Sequence, residues 1–193
     1  MDLSIKTPFT KRGIRTACVI GDGYGYFTSL LKYLDPNMKI ICVNLGRTLF
    51  FDVLFTKKGF PDDESTIMES GCKPDSLVSL NFCEAEHFER LNALPIDLFI
   101  NIASMQEMDP TIVKAYFNYM RKSSSCEVYF YCCNREKKVL PDYTISEFKE
   151  YPWNDAHILL DELCPWYQKF PTSIPPFWKP FDGTTRHRIA RLK

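Results

Sequence analysis

Apolar positions recur along the chain in two periods, and the switching between them predicts five strands separated by helices through residue 133. Thr16–Ile20 is short, apolar and β-branched, and it stops at a cluster of glycines. Phe27, Leu30, Leu31 and Leu34 then fall at i, i+3, i+4 and i+7, one face of a helix that Asp35-Pro36-Asn37 breaks. Residues 39–45 form a second strand, and 48–58 a helix with Lys57 and Lys58 in its last turn and Gly59 as its stop. Residues 77–82 read as a third strand and 84–91 as a short helix ended before Pro95. Leu98–Ile102 is the fourth strand. Asp109 as N-cap and Pro110 at the first helical position open the next helix, whose apolar face is Ile112, Val113, Tyr116, Phe117 and Met120. Residues 128–132 close the series as a fifth strand. Near-continuous apolar strands alternating with helices belong to an α/β fold, a mostly parallel sheet covered on both faces.

Beyond Asn134 the alternation fails. Residues 135–138 are a charged turn, 143–151 suit a strand or a short helix, and 153–183 have poor periodicity. Residues 187–192 alternate again and predict a final edge strand. At 193 residues the chain reads as one domain, with an α/β core over 16–133 and an irregular C-terminal part over 134–193. The two parts differ in composition. All three Trp and six of the thirteen Pro lie after residue 150, whereas seven of the eight Gly lie at or before Gly71.

Charge and cysteine usage narrow the function. Twenty-four Lys and Arg balance 24 Asp and Glu, so the chain lacks the basic face that a nucleic-acid binder needs. No apolar run reaches the roughly 18 residues of a membrane span, and the N-terminus has no signal-peptide core. The eight cysteines show no C-x-x-C pair and no zinc-ligand spacing, so no metal site is expected. Cys18, Cys42 and Cys132 lie inside apolar runs, and the set reads as buried thiols in a reducing cytoplasm.

The glycine cluster carries the first chemistry. Gly21-Asp22-Gly23-Tyr24-Gly25 joins a strand to a helix, which exposes backbone N–H groups and lets a ligand approach the main chain. The third glycine of a dinucleotide fingerprint is missing, and so is the Gly-Lys-Ser/Thr of a P-loop. Nucleoside binding without a pyrophosphate cradle remains, and S-adenosylmethionine fits it; a tight turn holding no ligand is the alternative. In an open α/β sheet the ligand lies over the C-terminal strand ends. That places Gly21, Asp22, Gly23, Tyr24 and Gly25 beside Asn44 and Leu45, Phe82 and Cys83, and Ala103, Ser104 and Met105. Asn44 stands where an acid usually takes the ribose hydroxyls.

The segments VIGDGYGYFTSLL, VNLGRTLFFD, DLFINIASMQEMDP, FYCCNREKK, DELCPWYQKF and PPFWKPFDG together resemble the bacterial sugar O-methyltransferases, a branch of the S-adenosylmethionine-dependent class I methyltransferases. The resemblance runs over residues 16–192, and its SMQEM and FYCCNRE segments are more specific than the glycine motif. It implies a Rossmann-like sheet of about seven mostly parallel strands. It also implies S-adenosylmethionine as cofactor, S-adenosylhomocysteine as product, and a sugar, nucleotide-sugar or glycan hydroxyl as acceptor, in surface-polysaccharide or glycan biosynthesis. Two departures stand out. Val19 replaces the acid common before the first glycine, and the segment ahead of the first strand is short against the family's, which leaves independent activity open.

Methyl transfer needs an aligned acceptor oxygen and a group to take its proton. Glu107 is the candidate base and Gln106 its orienter, in the segment after the fourth strand; capping of the next helix is the competing role for Glu107. Asn134 and Arg135 leave the fifth strand at the same edge, and Arg135 suits a phosphate or carboxylate on the acceptor. In the tail, His157 near Asp161 is a second possible base, while His87 and His187 read as surface residues. Trp178 offers a ring for a sugar face, whereas Trp166 and Phe170 are expected to pack over the sheet. A cofactor-binding module without turnover is the first alternative to an enzyme, and a nicotinamide-dependent oxidoreductase the second.

Overall fold

A computed structural model describes residues 14–68, 77–92 and 94–193. Among them, eight strands build one sheet around the five that the periodicity predicts. In chain order the elements are β1 (Thr16–Ile20), α1 (Tyr26–Leu34), β2 (Lys39–Asn44), α2 (Gly46–Gly59), β3 (Ser65–Ile67), β4 (Leu80–Glu84), a 3-10 segment (Ala85–Leu91), β5 (Leu98–Ile102), a 3-10 turn (Met105–Glu107) and α3 (Pro110–Met120). After them come β6 (Tyr129–Arg135), β7 (Lys137–Val139), β8 (Ile145–Glu147), a 3-10 turn (Phe148–Glu150), β9 (His157–Leu163), β10 (Lys169–Pro171), β11 (Trp178–Pro180) and β12 (Thr185–Arg191). The sheet order is β3-β4-β2-β1-β5-β6-β12-β9. β1 pairs in parallel with β2 and β5, β2 with β4, and β5 with β6, while β12 runs antiparallel to both β6 and β9.

The strand centres are apolar because both sheet faces are covered. One face packs Val19, Ile40, Cys42, Leu80 and Phe82 under α1 and α2. On the other, Cys18, Ile20, Phe99 and Phe130 meet the α3 residues Val113, Tyr116, Phe117 and Met120. Asp109 caps α3 as expected, accepting the Thr111 N–H at 2.7 Å. Phe117 there sits edge-on to Phe130 at 5.4 Å and to Trp153 at 5.0 Å. Trp153 thus ties the C-terminal part to α3, beside the β6–β12 pairing, and Arg188 lays its guanidinium over the same ring at 4.5 Å.

Several boundaries and faces differ from expectation. β4 starts at Leu80, later than the predicted strand, because the Asn81 side chain folds the preceding residues into a turn: its oxygen accepts the Val78 N–H at 3.1 Å and its Nδ2 donates to the Val78 carbonyl at 2.8 Å. The segment at 84–91 is a 3-10 helix kinked at His87, not an α-helix. The C-terminal part, read as irregular, supplies two strands of the sheet and two hairpins, β7–β8 and β10–β11. β12 is therefore interior, and the edge is β9, whose residues are mostly exposed. His187 on β12 is buried between the Tyr131 hydroxyl at 3.3 Å and Glu162 at 3.2 Å, not at the surface. Trp166 is exposed, touching His187 edge-on at 5.1 Å, while Phe170 packs on Phe181 at 5.4 Å.

The helix faces carry the largest surprise. α1 buries Thr28 and Lys32, with Phe27 and Leu31 partly covered, while Leu30 and Leu34 face outward. α2 buries Leu49, Asp52 and Thr56 and exposes Phe50, Phe51, Leu54 and Phe55. Among the described residues no disulfide forms, and six of the seven described cysteines are buried. Burial raises the Cys18, Cys42 and Cys132 thiols well above their ordinary values and pushes Cys133 up to about 12, so these four stay protonated near neutrality. No described helix is long and apolar enough to cross a membrane.

Candidate functional site

The C-terminal ends of β1, β2, β4, β5 and β6 meet at one edge of the sheet, and the glycine turn leaves β1 there. Gly21 donates to the Val43 carbonyl at 2.8 Å, tying the turn to β2. The three glycines divide by role. A Cβ on Gly21 would lie 2.2 Å from Ser104 Oγ, and one on Gly25 would lie 2.3 Å from Thr56 Oγ1 and 2.9 Å from the Asp52 carbonyl oxygen. Those two glycines let the turn sit against β5 and α2. Gly23, at φ +89°, has nothing within 4 Å of an added Cβ and is where the turn presents bare backbone outward.

Two carboxylates hold the turn in place. Asp22 accepts the Phe27 N–H at 2.8 Å and the Thr28 N–H at 2.7 Å, closing the first turn of α1 with its own charge. Asp52, which the sequence reading missed, is fully buried beneath the turn. It accepts the Gly25 N–H at 2.8 Å and Asn44 Nδ2 at 2.8 Å, with Cys42 Sγ at 3.4 Å. Burial pushes its carboxyl above the ordinary value and nearby Asp22 adds to this, against the hydrogen bonds from Asn44, Cys42 and Gly25. The signal was present: an acid at the i+3 position from buried Leu49 on a helix whose aromatic residues all fall elsewhere.

A second network fastens β5 to its neighbours. Asn101, also missed, donates to the Ile20 carbonyl at 2.8 Å and to Ser104 Oγ, while its oxygen accepts the Met105 N–H at 3.1 Å and Asn134 Nδ2 at 2.8 Å. Asn134 in turn accepts the Gln106 N–H at 3.0 Å, and Gln106 Oε1 accepts the Arg135 N–H at 2.7 Å. Ala103 turns the chain out of β5 at φ 59°.

These contacts sort the expected site residues. Gly21 to Gly25, Leu45, Ala103, Ser104, Glu107 and Arg135 gather at the sheet edge. Phe82, Cys83 and Met105 are buried in the core, because β4 runs on to Glu84 and Met105 turns inward. Asn44 and Asn134 are buried with their amides spent on protein partners, Leu45 N–H reaching Asn44 Oδ1 at 2.9 Å. Gln106 is buried as well and reaches Glu107 at 3.4 Å. Glu107, 49% exposed, forms an ion pair with Lys138 of β7.

His157 is not brought to this edge. It pairs with Arg191, which pairs with Tyr129, so the register puts it at the opposite end of the sheet. Asp161 lies partway along β9, where its carboxylate holds Arg188 at 2.6 Å and Arg186 at 3.1 Å. Burial would raise this carboxyl, but the two guanidiniums prevail and hold it below its ordinary value. Trp178 stands on the β10–β11 hairpin, 59% exposed. That hairpin joins the site edge through Arg135, whose guanidinium lies over Phe181 at 5.1 Å and donates to the Asp182 carbonyl at 3.3 Å. Among the described residues no group of three or more His, Cys, Asp or Glu converges in a metal-binding arrangement.

No protein-family model matches the chain, and no curated protein matches it. Solved structures do. A SAM-dependent methyltransferase from Aquifex aeolicus is similar at TM-score 0.55 and 12% identity, over 93% of this chain and 82% of that one. The PH0226 protein from Pyrococcus horikoshii OT3 is similar at TM-score 0.57 and 12% identity, over 95% and 84%. The mitomycin 7-O-methyltransferase MmcR is similar at TM-score 0.58 and 10% identity, over 92% of this chain but 49% of its own. The chain likewise spans only 53% of a matched structure from Nostoc punctiforme and 57% of methyltransferase CalO6. At such identities the likeness is one of architecture, and the chain has the Rossmann-like fold of the class I methyltransferases.

Proposed function

We propose that the chain is an S-adenosylmethionine-dependent O-methyltransferase that acts on a sugar hydroxyl, in surface-polysaccharide or glycan biosynthesis. The observation that carries the nucleoside reading is the state of the glycine turn. Asp22 already satisfies the N–H groups of Phe27 and Thr28 and brings its own negative charge, so α1 offers no cradle to a pyrophosphate. Gly23 leaves open backbone beside two carboxylates, Asp22 and Asp52, an environment suited to a cationic sulfonium amino acid. The same arrangement disfavours a nicotinamide dinucleotide.

When bound, S-adenosylmethionine supplies a methyl group on a positively charged sulfur. The Gly21–Gly25 turn, Leu45, Ala103 and Ser104 would hold it. Glu107 is the proposed base, accepting the proton of the acceptor hydroxyl as its oxygen takes the methyl carbon and the carbon–sulfur bond breaks. Gln106 positions Glu107 by fixing the 3-10 turn to β6 through Arg135 N–H. Exposed Trp178 offers a face to the C–H side of a sugar, and Arg135 suits an acidic group on it.

The Glu107–Lys138 ion pair favours a second reading, a cofactor-binding module without turnover. Calorimetry with S-adenosylhomocysteine and with NAD(H), followed by methyl-release assays over a panel of nucleotide sugars, separates the cases. Binding of the first ligand alone is expected, with turnover that Glu107→Gln lowers at least tenfold. Binding of NAD(H) instead would refute the proposal, and binding without methyl release on any acceptor would establish the module.

A further inference from the structure

Independently of the nucleoside reading, we propose that the β10–β11 hairpin is a docking arm whose tip enters an anionic lipid surface. The two strands form a sheet of their own, and all six of their residues are exposed. The base is braced against the body. Phe181 N–H donates to the Gln168 carbonyl at 3.0 Å, Gln168 Nε2 donates to the Cys164 and Thr185 carbonyls at 2.8 and 2.6 Å, and Arg135 lies over the Phe181 ring.

The side chains change in order from tip to base. Ile174 and Phe177 at the turn are 68% and 55% exposed. Pro171 and Trp178 make the next rung, then Phe170 and Lys179, then Lys169 and Pro180. Apolar groups outermost, an indole next and cations behind match the depths of a bilayer: hydrocarbon, headgroup, phosphate. The spacing agrees. Lys179 trails Phe177 by two residues, about 7 Å along a strand, so a tip sunk about 5–10 Å brings the ammonium to the phosphates. Hydrocarbon demands partners for backbone N–H groups, and the tip is suited to that. Pro175 and Pro176 carry none, while Thr172, Phe177 and Trp178 donate theirs to the carbonyls of Phe177, Ile174 and Pro176 at 2.7, 3.0 and 2.8 Å.

Charge selects the surface. Residues 164–181 contain two lysines and no acid, although 24 of the 193 residues are Asp or Glu. Lys169 and Lys179 are exposed, and among the described residues neither forms an ion pair. A protein groove would need an acidic rim at the matching depth; an anionic bilayer offers one everywhere.

The test is flotation of the full chain with two vesicles, phosphatidylcholine alone and phosphatidylcholine with about one-third phosphatidylglycerol. Wild type is expected to bind the anionic vesicles about tenfold or more tightly, and to lose that margin in high salt. Ile174→Ser/Phe177→Ser should weaken binding at least tenfold, and Lys169→Gln/Lys179→Gln should remove most of the preference. Both leave Trp178 in place, and both should melt within about 3 °C of wild type because every replaced side chain is exposed. Wild type that floats with neither vesicle would overturn the proposal, as would a folded Ile174→Ser/Phe177→Ser chain that binds undiminished. Equal binding to both vesicles would overturn the anionic assignment. If wild type ignores lipid and sediments as a dimer that the same variant dissociates, the tip belongs to a protein contact and the proposal falls.

Discussion

Asp52→Ala tests whether the glycine turn is built from below. The substitution removes the acceptor of two donors, the Gly25 N–H and Asn44 Nδ2, each 2.8 Å away beneath a fully covered surface. A buried donor left without a partner costs about 1–3 kcal/mol, partly offset because a buried carboxylate is itself expensive. The expected loss is about 3 kcal/mol, or roughly 6–12 °C in Tm for a chain of this length. Asp52→Asn keeps the shape and one acceptor oxygen, so about half that loss is expected. The pH dependence supplies a second reading. Because the folded Asp52 carboxyl titrates above its unfolded value, ionising it in place costs stability as pH rises from about 4 through the folded value. Asp52→Asn has no such slope, so wild type should lose stability relative to it across that window. Urea denaturation at a series of pH values measures both. A loss below about 1 kcal/mol for Asp52→Ala, or parallel pH profiles for wild type and Asp52→Asn, would refute the reasoning.

The remaining glycine turn is tested by a pair: Gly25→Ala should cost about 3 kcal/mol or more, combining positive φ with a contact of 2.9 Å to the Asp52 carbonyl, whereas Gly23→Ala should cost only about 1–2 kcal/mol from φ. Urea midpoints check the order, and equal losses would contradict the division of roles. On either side of Arg186 of β12, the Glu136 carboxyl after β6 is held low by Thr184 and Arg186, and Asp161 of β9 is held low by Arg188 and Arg186 despite burial. Stability from both is present above about pH 4 and is lost as pH falls through the lowered values, so Arg186→Gln should flatten the acid limb of a stability–pH curve by about 1 kcal/mol at most, both acids being part exposed. Phe50→Ser should change stability by about 0.5 kcal/mol or less, since the ring is 62% exposed; a loss near 2 kcal/mol by thermal melting would mean that α2 is oriented differently.

The sheet was legible in the sequence because its interior strands obey one rule. Thr16–Ile20 and Leu98–Ile102 are apolar at nearly every position, since helices cover both faces, and no other element gives that pattern at that length. β9 escaped notice for the converse reason. It lies at an edge, six of its seven residues are exposed with Leu160 alone half-buried, and HILLDEL carries two adjacent acids. Its pairing with β12 is a long-range fact that no local period encodes. The buried face predicted for α1 is only partly the real one, and that of α2 is not legible from its apolar residues. Phe50, Phe51, Leu54 and Phe55 dominate the apolar content of α2, yet they point outward, because the inward face carries Asp52, which bonds the turn, and Thr56, which packs against Gly25. Composition weights that helix toward the wrong side.

The site shows a related division between amides and charges. Asn44, Asn101 and Asn134 each stand at or next to the end of a strand, where sequence reading gave Asn44 and Asn134 a ligand-facing role, and each is buried with both ends of its amide bonded to protein. The chemistry explains it. At a strand end, strand and departing loop leave both donors and acceptors without partners, and a side-chain amide supplies one of each, as Asn101 does for the Ile20 carbonyl and the Met105 N–H. A carboxylate or guanidinium meets one of those needs and keeps its charge, so burial there costs more than it returns. The amides therefore become fasteners of the edge. The charged groups one step outside them, Glu84 after β4, Glu107 after β5 and Arg135 at the end of β6, retain polar atoms to offer a ligand. If the edge is the cofactor and acceptor site proposed above, these charged residues beside the asparagines are the ones expected to set its specificity.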